Sequence, residues 1–318
     1  MIPVPFLILL TLACFYLGWN IGANDGGNCI GTSIGAGLIS FKRGALLVAG
    51  CALLGAVFQG HKVVGTMGRG IVSAELPPLA LFLALVAGGS VVSLATFKSI
   101  PVSTSQAVVG GLVGAGISLG EPVNYSLVRD IALSWAVCPL VALVVAMGAY
   151  LVIRSVLRRI HITVRVERTL GLLVLLSACY AAYSLGANNV GNAVGPLGNS
   201  GSVPVVLLLL LGGTAIGAGV LTYGRRVAEA IGKGIVPLDL SGALAAQVAT
   251  GFSVHLYAMV GIPVSTSHAV VGAVIGIGLL RGIQAVGRRK IAEISIGWIV
   301  TPAVSCTMCL LLCWIFVR

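Results

Sequence analysis

Gly22-Ala23-Asn24-Asp25-Gly26-Gly27-Asn28 returns 164 residues later as Gly186-Ala187-Asn188-Asn189-Val190-Gly191-Asn192. Two further stretches return in the same order. Pro101-Val102-Ser103-Thr104-Ser105-Gln106-Ala107-Val108-Val109-Gly110 reappears as Pro263-Val264-Ser265-Thr266-Ser267-His268-Ala269-Val270-Val271-Gly272. Gly68-Arg69-Gly70-Ile71-Val72 reappears as Gly232-Lys233-Gly234-Ile235-Val236. Three matches in one order at nearly one offset mark a duplicated unit. The first half is 1–153, the second 169–318, and a basic link at 154–168 joins them.

Composition places both halves in lipid. Of 318 residues 58% are hydrophobic and 8% charged, against about 25% charged in a soluble domain. Mean hydropathy is +1.09. A spanning helix needs about 20 apolar residues, and long apolar segments are expected at 3–21, 44–60, 79–97, 127–153, 170–187, 203–222, 240–259 and 292–316. The first of these lacks a basic start and a small-residue cleavage site, so it reads as a span. The expected class is an all-α integral membrane protein.

Charge gives the orientation. Net charge is +11, but the cations lie between apolar segments, which is a topology pattern and not the footprint of nucleic-acid binding. Arg281, Arg288, Arg289 and Lys290 follow the second serine motif, whereas Leu119–Val128 in the first half holds Glu121 and no Lys or Arg. Lys42 and Arg43 likewise correspond to the uncharged Asn199-Ser200-Gly201-Ser202. Opposite bias in equivalent loops predicts inverted repeats. The link, with five Arg, is expected in the cytoplasm and both termini outside, in a multi-pass protein of the cell membrane. Lys62 and Arg69 fit less well, since they would lie outside. Four long spans per half is an even number, so one polar motif in each half is expected to supply an extra crossing.

Asp25 is the one carboxylate inside a motif. A charge near the bilayer centre costs about 2.5–3.5 kcal/mol on insertion scales, so its place predicts a job as a cation ligand or proton carrier rather than a helix cap. Asn24, Asn188 and Asn189 are expected with it at the cation, the flanking glycines admitting backbone carbonyls. Proline followed by three hydroxyls marks a helix N-terminus, where unpaired N–H groups and the helix dipole attract an anion. Ser103, Thr104, Ser105 and Gln106 in one half, and Ser265, Thr266, Ser267 and His268 in the other, are expected to bind it. Few fixed cations and many neutral donors suit a small, compact oxyanion. The plain alternatives are capping for the hydroxyls and a backbone hydrogen bond for His268. No nucleotide-binding motif is present, so no ATP-driven step is expected. Cys306, Cys309 and Cys313 share one helix face and read as packing residues; no disulfide, metal centre or cofactor is expected.

At these motifs the chain resembles the inorganic phosphate transporter (PiT) family, which carries a paired G-A-N-D-x-x-N and a paired P-V-S-T-[ST]-[QH] element. The likeness extends through Gly224-Arg225-Arg226-Val227 and Gly261-Ile262-Pro263. It implies broken helices, helical hairpins at the serine motifs, a homodimer, and phosphate uptake driven by sodium or protons, with Asn28 and Asn192 among the phosphate-binding residues. There are departures. Asn189 stands where the family usually has Asp, Gly65 stands where some relatives have Glu, and the central hydrophilic loop of animal relatives is absent. A sulfate permease of the same fold is the nearest rival; phosphate can give a proton to a carboxylate such as Asp25, and sulfate cannot. A channel would need a continuous polar path. An intramembrane enzyme is disfavoured, because paired hydroxyl clusters lack the single asymmetric nucleophile and base of catalysis.

Overall fold

A computed structural model describes residues 2–318 apart from Pro101, Ile162, Asn199, 235–237 and 283–287. Pro101, Asn199, the Ile235-Val236 end of the third repeat match and part of the basic loop after the second serine motif therefore lie outside the described residues. Helices dominate. In the first half they are α1 (Val4–Ile21), a π-helical turn (Gly22–Gly26), α2 (Gly27–Gly35), α3 (Phe41–Gln59), α4 (His61–Arg69), α5 (Pro78–Phe97), α6 (Thr104–Leu119) and α7 (Tyr125–Leu157). In the second half they are α8 (Val164–Gly198), α9 (Val205–Tyr223), α10 (Arg225–Gly234), α11 (Leu240–Val260), α12 (Thr266–Arg281) and α13 (Arg288–Phe316). α8 corresponds to α1, the π turn and α2 taken together.

Eight helices among the described residues are long and apolar enough to cross a membrane, and they coincide with the eight expected segments. Their lipid-facing surfaces remain uncovered: Leu46, Phe58, Leu140, Val144, Leu172 and Ile299 are all exposed. Local signals set several starts. Pro3, Pro77 and Pro204 precede α1, α5 and α9, and the side chains of Asn124 and Asp239 accept the N–H groups of Leu127 and Gly242 at the heads of α7 and α11.

The halves interlock. α6 packs on α13 and α12 on α7; α3 packs on α8 and α9 on α1; α4 packs on α8 and α10 on α2. Each relation recurs with the halves exchanged. Glycines make two of these crossings close enough for backbones to touch. A Cβ on Gly22 would collide with the Ile216 carbonyl, and one on Gly219 with the Trp19 carbonyl; Gly186 and Gly55 stand in the same relation to Ala52 and Tyr183. The glycine that opens each asparagine motif therefore serves helix contact. Gly→Ala normally stabilises a helix by about 1 kcal/mol. Gly219→Ala is expected to reverse that sign and cost about 3 kcal/mol, because the neighbour is backbone and cannot rotate away. Thermal unfolding in detergent measures it, and an unchanged or raised midpoint would show that α1 and α9 can part freely.

Each asparagine motif is part of a long helix, and each serine motif heads a short one. The first asparagine motif lies inside a continuous 32-residue helix, Val4–Gly35, and the second inside α8. The serine motifs instead open the return arms of two hairpins. α5 and α6 run antiparallel, Gly88 against the Ala107 backbone and Gly111 against Ala84. At the base of this hairpin the Ser73 N–H donates to the Pro122 carbonyl (3.1 Å) and the Asn124 N–H to the Ile71 carbonyl (2.9 Å). The chain thus leaves the hairpin beside the point where it began. The tips turn through left-handed residues, Ser99 (φ 58°) and Gly261 (φ 77°). α6 and α12 have 16 residues each, about 24 Å of helix, short of the roughly 30 Å hydrocarbon layer.

Candidate functional site

The two hairpin tips meet. Ser105 Oγ donates to the Val264 carbonyl (2.8 Å), and Ser267 Oγ donates to the Val102 carbonyl (3.0 Å). Two P-V-S-T-S segments far apart in sequence are thus joined by reciprocal hydrogen bonds. Ser103 and Ser265 cap their helices, each hydroxyl accepting the N–H of the residue three further on, Gln106 and His268, at 3.2 Å. The first N–H groups of α6 and α12, on Thr104, Ser105, Thr266 and Ser267, have no carbonyl within their helices. Among the described residues the hydroxyl protons of Ser103, Ser265 and Thr266 also lack an acceptor. Donors from both halves therefore converge at one place.

Asp25 stands at that place, 1% exposed. Thr104 donates to its Oδ2 (2.6 Å), the one Ser267 proton is shared between the Val102 carbonyl and Oδ1 (2.9 Å), and Asn28 Nδ2 approaches Oδ1 at 3.4 Å. Asn189 is the counterpart in the second half. Its Oδ1 takes Asn192 Nδ2 (2.9 Å) and lies 3.3 Å from Thr104 Oγ1, while its Nδ2 donates to Thr266 (3.1 Å). Thr104 Oγ1 so lies between the carboxylate of one half and the amide oxygen of the other, with its proton on the closer carboxylate. Asn28 and Asn192 match in function too: each amide donates to a serine of the opposite half, Ser267 at 2.7 Å and Ser105 at 2.8 Å. Each keeps a buried Oδ1 with no partner among the described residues. Asn28, Asn189 and Asn192 are 0% exposed.

Asn24 and Asn188 lie beside this cluster with their amides already engaged. Asn24 Oδ1 accepts the Val102 N–H (3.1 Å), and its Nδ2 donates to the Ile100 carbonyl (3.2 Å) and to Thr96 (2.8 Å). Asn188 Oδ1 accepts the Val264 N–H (3.0 Å), and its Nδ2 donates to the Ile262 carbonyl (3.0 Å). An amide supplies both a donor and an acceptor on one plane. It therefore satisfies the extended backbone just before each short helix, which has no ladder of its own.

Gln106 and His268 start one turn into the return arms. His268 Nδ1 donates to the Trp135 carbonyl (3.0 Å), and its ring lies 3.9 Å from that of Trp298. A carbonyl only accepts, so the proton is on Nδ1 and Nε2 is the open nitrogen. Both the expected backbone bond and an unpartnered buried ring atom are present. Gln106 Oε1 is likewise buried and unpartnered. His255 packs away from the cluster, against Tyr180 and Tyr183.

Two residues went unnoticed as part of this region. Lys62 Nζ donates to the Met259 carbonyl at the end of α11 (2.8 Å), and Arg226 donates to the Phe97 carbonyl at the end of α5 (3.2 Å). They occupy equivalent positions 164 apart. Each neutralises the negative C-terminal end of the hairpin arm from the other half. Arg226 also sits over the Phe97 and Tyr223 rings, 5.3 and 5.2 Å from their centroids. Lys62 is one of the two cations, with Arg69, that fit the charge pattern less well, and this contact gives it a partner.

Comparison with known proteins agrees with this arrangement. A model described as the phosphate transporter family matches residues 21–309. A Pyrococcus horikoshii protein that carries the provisional name phosphate permease is 30% identical, over 96% of this chain and 96% of that protein. Inorganic phosphate transporter 2-1, chloroplastic, of Arabidopsis thaliana is 27% identical over 96% of this chain and 71% of its own length. A solved structure described as the sodium-dependent phosphate transporter superposes with a TM-score of 0.88, at 27% identity, over 98% of this chain and 99% of that one.

Proposed function

Because the chain belongs to the phosphate transporter family, we propose that it is a secondary active transporter that carries inorganic phosphate together with sodium by alternating access. The observation that carries the reading is the meeting of two capped helix starts, one from each half, on a single buried carboxylate. Helix N-termini and free hydroxyl protons supply neutral donors for an oxyanion. Asp25 would repel that anion unless a cation lay between them. The carboxylate and the open carbonyl oxygens of Asn28 and Asn192 form the hard oxygen set that such a cation prefers. Phosphate and sodium then neutralise one another at one place, and neither is bound well alone.

The hairpin geometry supports inverted repeats. With the α5–α6 hairpin entering and leaving on one side, α1–α2, α3 and α7 remain as three crossings. Three is odd, so the second half inserts the other way up. The basic link then lies in the cytoplasm and both termini outside, and the two hairpins dip from opposite sides to meet midway. The transporter works, in this reading, as a homodimer in the cell membrane.

Labelled phosphate uptake into proteoliposomes, with sodium and proton gradients imposed separately, tests the function. Uptake is expected with inward sodium and is expected to persist in excess unlabelled sulfate. Uptake that follows only the proton gradient would overturn sodium coupling, and strong inhibition by sulfate would overturn phosphate. Ser105→Ala and Ser267→Ala are each expected to raise the apparent phosphate KM about three- to tenfold, the worth of one neutral hydrogen bond in a site the tips hold closed. An unchanged KM in both variants would move the anion elsewhere.

A further inference from the structure

The two halves differ in chemistry just below the site. On α11, Gln247, Thr250 and Ser253 are three residues apart and fall along one side of the helix. All three are 0% exposed. Gln247 Nε2 donates to the Cys29 carbonyl and to Thr32 Oγ1 on α2, both at 2.6 Å. Its Oε1 has no partner among the described residues, nor do Thr250 Oγ1, Ser253 Oγ and Ser33 Oγ. α2, α11 and α12 all pack on one another. Asn28, which reaches Ser267 on α12, is one helical turn from Thr32, about 6 Å along α2. A polar seam therefore begins at the candidate site and continues toward the far end of α2.

The equivalent positions in the first half are apolar. Gln247, Thr250 and Ser253 correspond to Leu85, Gly88 and Val91; Thr32 and Ser33 correspond to Pro196 and Leu197. Capping and packing needs are the same on both sides, so they do not account for the difference. Buried polar atoms without partners are a standing cost, and four of them along one seam point to a use. The seam also has a destination. Leu38, in the loop after α2, packs with Leu170, Ala243 and Leu244, so an apolar cluster closes the far end of the seam on the side where Lys42, Arg43, Arg165 and Arg168 stand at the heads of α3 and α8. Pro196, the counterpart of Thr32, instead lines a cleft of about 540 Å³ together with Leu81, Leu112 and Glu75.

We propose that the Gln247–Thr250–Thr32 seam is a second station for the transported oxyanion, through which phosphate passes from the site to the basic face of the molecule. It rests on the phosphate-transport reading. A dehydrated phosphate leaving the hairpin tips exchanges their donors for the hydroxyl protons of Thr32, Ser33 and Thr250, with Gln247 holding Thr32 in place by its own N–H, before it meets water and the Arg-rich link. The apolar counterpart offers no such exchange, so the two directions of release are chemically unequal.

The test combines Gln247→Leu with Thr250→Val in the full chain. Three quantities are read: inorganic phosphate binding in detergent with sodium present, thermal midpoint, and phosphate uptake into proteoliposomes. Binding is expected to stay within twofold of the original, since the hairpin tips are untouched. The midpoint is expected to change little, since the loss of the Gln247 bonds to Cys29 and Thr32 is offset by removal of two unpartnered oxygens. Uptake is expected to fall at least tenfold, and Thr250→Ser alone is expected to retain it. Uptake within twofold of the original would overturn the proposal, as would a fall in uptake that tracks a lowered midpoint, which would make the seam structural. A chain that shows no sodium-dependent phosphate binding even before substitution fails the transport reading itself, which this design separates from failure of the seam.

Discussion

Asp25→Asn is expected to reduce sodium-driven phosphate uptake at least about a hundredfold while leaving the protein folded. A unit charge pair about 4 Å apart is worth about 4 kcal/mol at the effective dielectric of a partly solvated protein site, close to a thousandfold in affinity. Part of that is recovered because the substituted amide still offers an oxygen to the cation. The same change relieves the cost of holding a carboxylate at bilayer depth, about 2.5–3.5 kcal/mol. The thermal midpoint should therefore hold or rise while transport disappears. Thr104 and Ser267, which now donate to Asp25, can rotate their protons to accept from the new amide. Uptake at the original rate would take Asp25 out of the mechanism. The second half offers a further arm. Asn189 sits against the same Thr104 hydroxyl, so adding Asn189→Asp to Asp25→Asn returns one carboxylate to the cluster. Recovery of at least a tenth of the lost uptake is expected if the charge and not its exact carrier is what the cation needs.

That the asparagine and serine motifs would lie together was legible because the same residue types recur at one offset, which marks them as a candidate site. The eight spans were legible from length and apolarity alone. The closure of the first hairpin was not. Counting treats α5 as an ordinary span, whereas the pairing of 71–73 with 122–124 closes the hairpin on itself, and two short backbone segments carry no sign of that in their side chains. The role of Gly22 and Gly186 was also hidden. A glycine that admits a ligand and a glycine that admits a helix look alike until the partner helix is placed. Lys62 shows the limit of topology rules: its charge answers to the carbonyl end of α11 and not to the side of the membrane. The polar seam on α11 went unread because Gln247, Thr250 and Ser253 are dispersed in an otherwise apolar helix, and only the contrast with Leu85, Gly88 and Val91 makes them stand out.

Asn24→Asp separates two uses of one side chain that sequence cannot separate. As a cation ligand, residue 24 would gain from a full negative charge, and sodium affinity should rise. As the clamp that the hydrogen bonds describe, it must both accept from Val102 N–H and donate to the Ile100 carbonyl and Thr96. An aspartate keeps only the first of these. It sets a second carboxylate oxygen against the Ile100 carbonyl, in a place with 0% exposure for residue 24. Losing donors to buried acceptors costs about 1–3 kcal/mol for each group left unsatisfied, more where a charge is involved. We expect a loss of about 4 kcal/mol or more, seen as a fall of roughly 10 °C in thermal midpoint. Phosphate and sodium binding should weaken together, because the tip that carries Ser103, Thr104 and Ser105 is no longer held. Asn188→Asp should behave alike through Val264 and Ile262, since each clamp secures one of two tips that bind only as a pair. A variant at residue 24 with an unaltered midpoint and tighter sodium binding would reverse the assignment, making Asn24 a ligand and leaving the hairpin tip to be held by Thr96 and the helix cap alone.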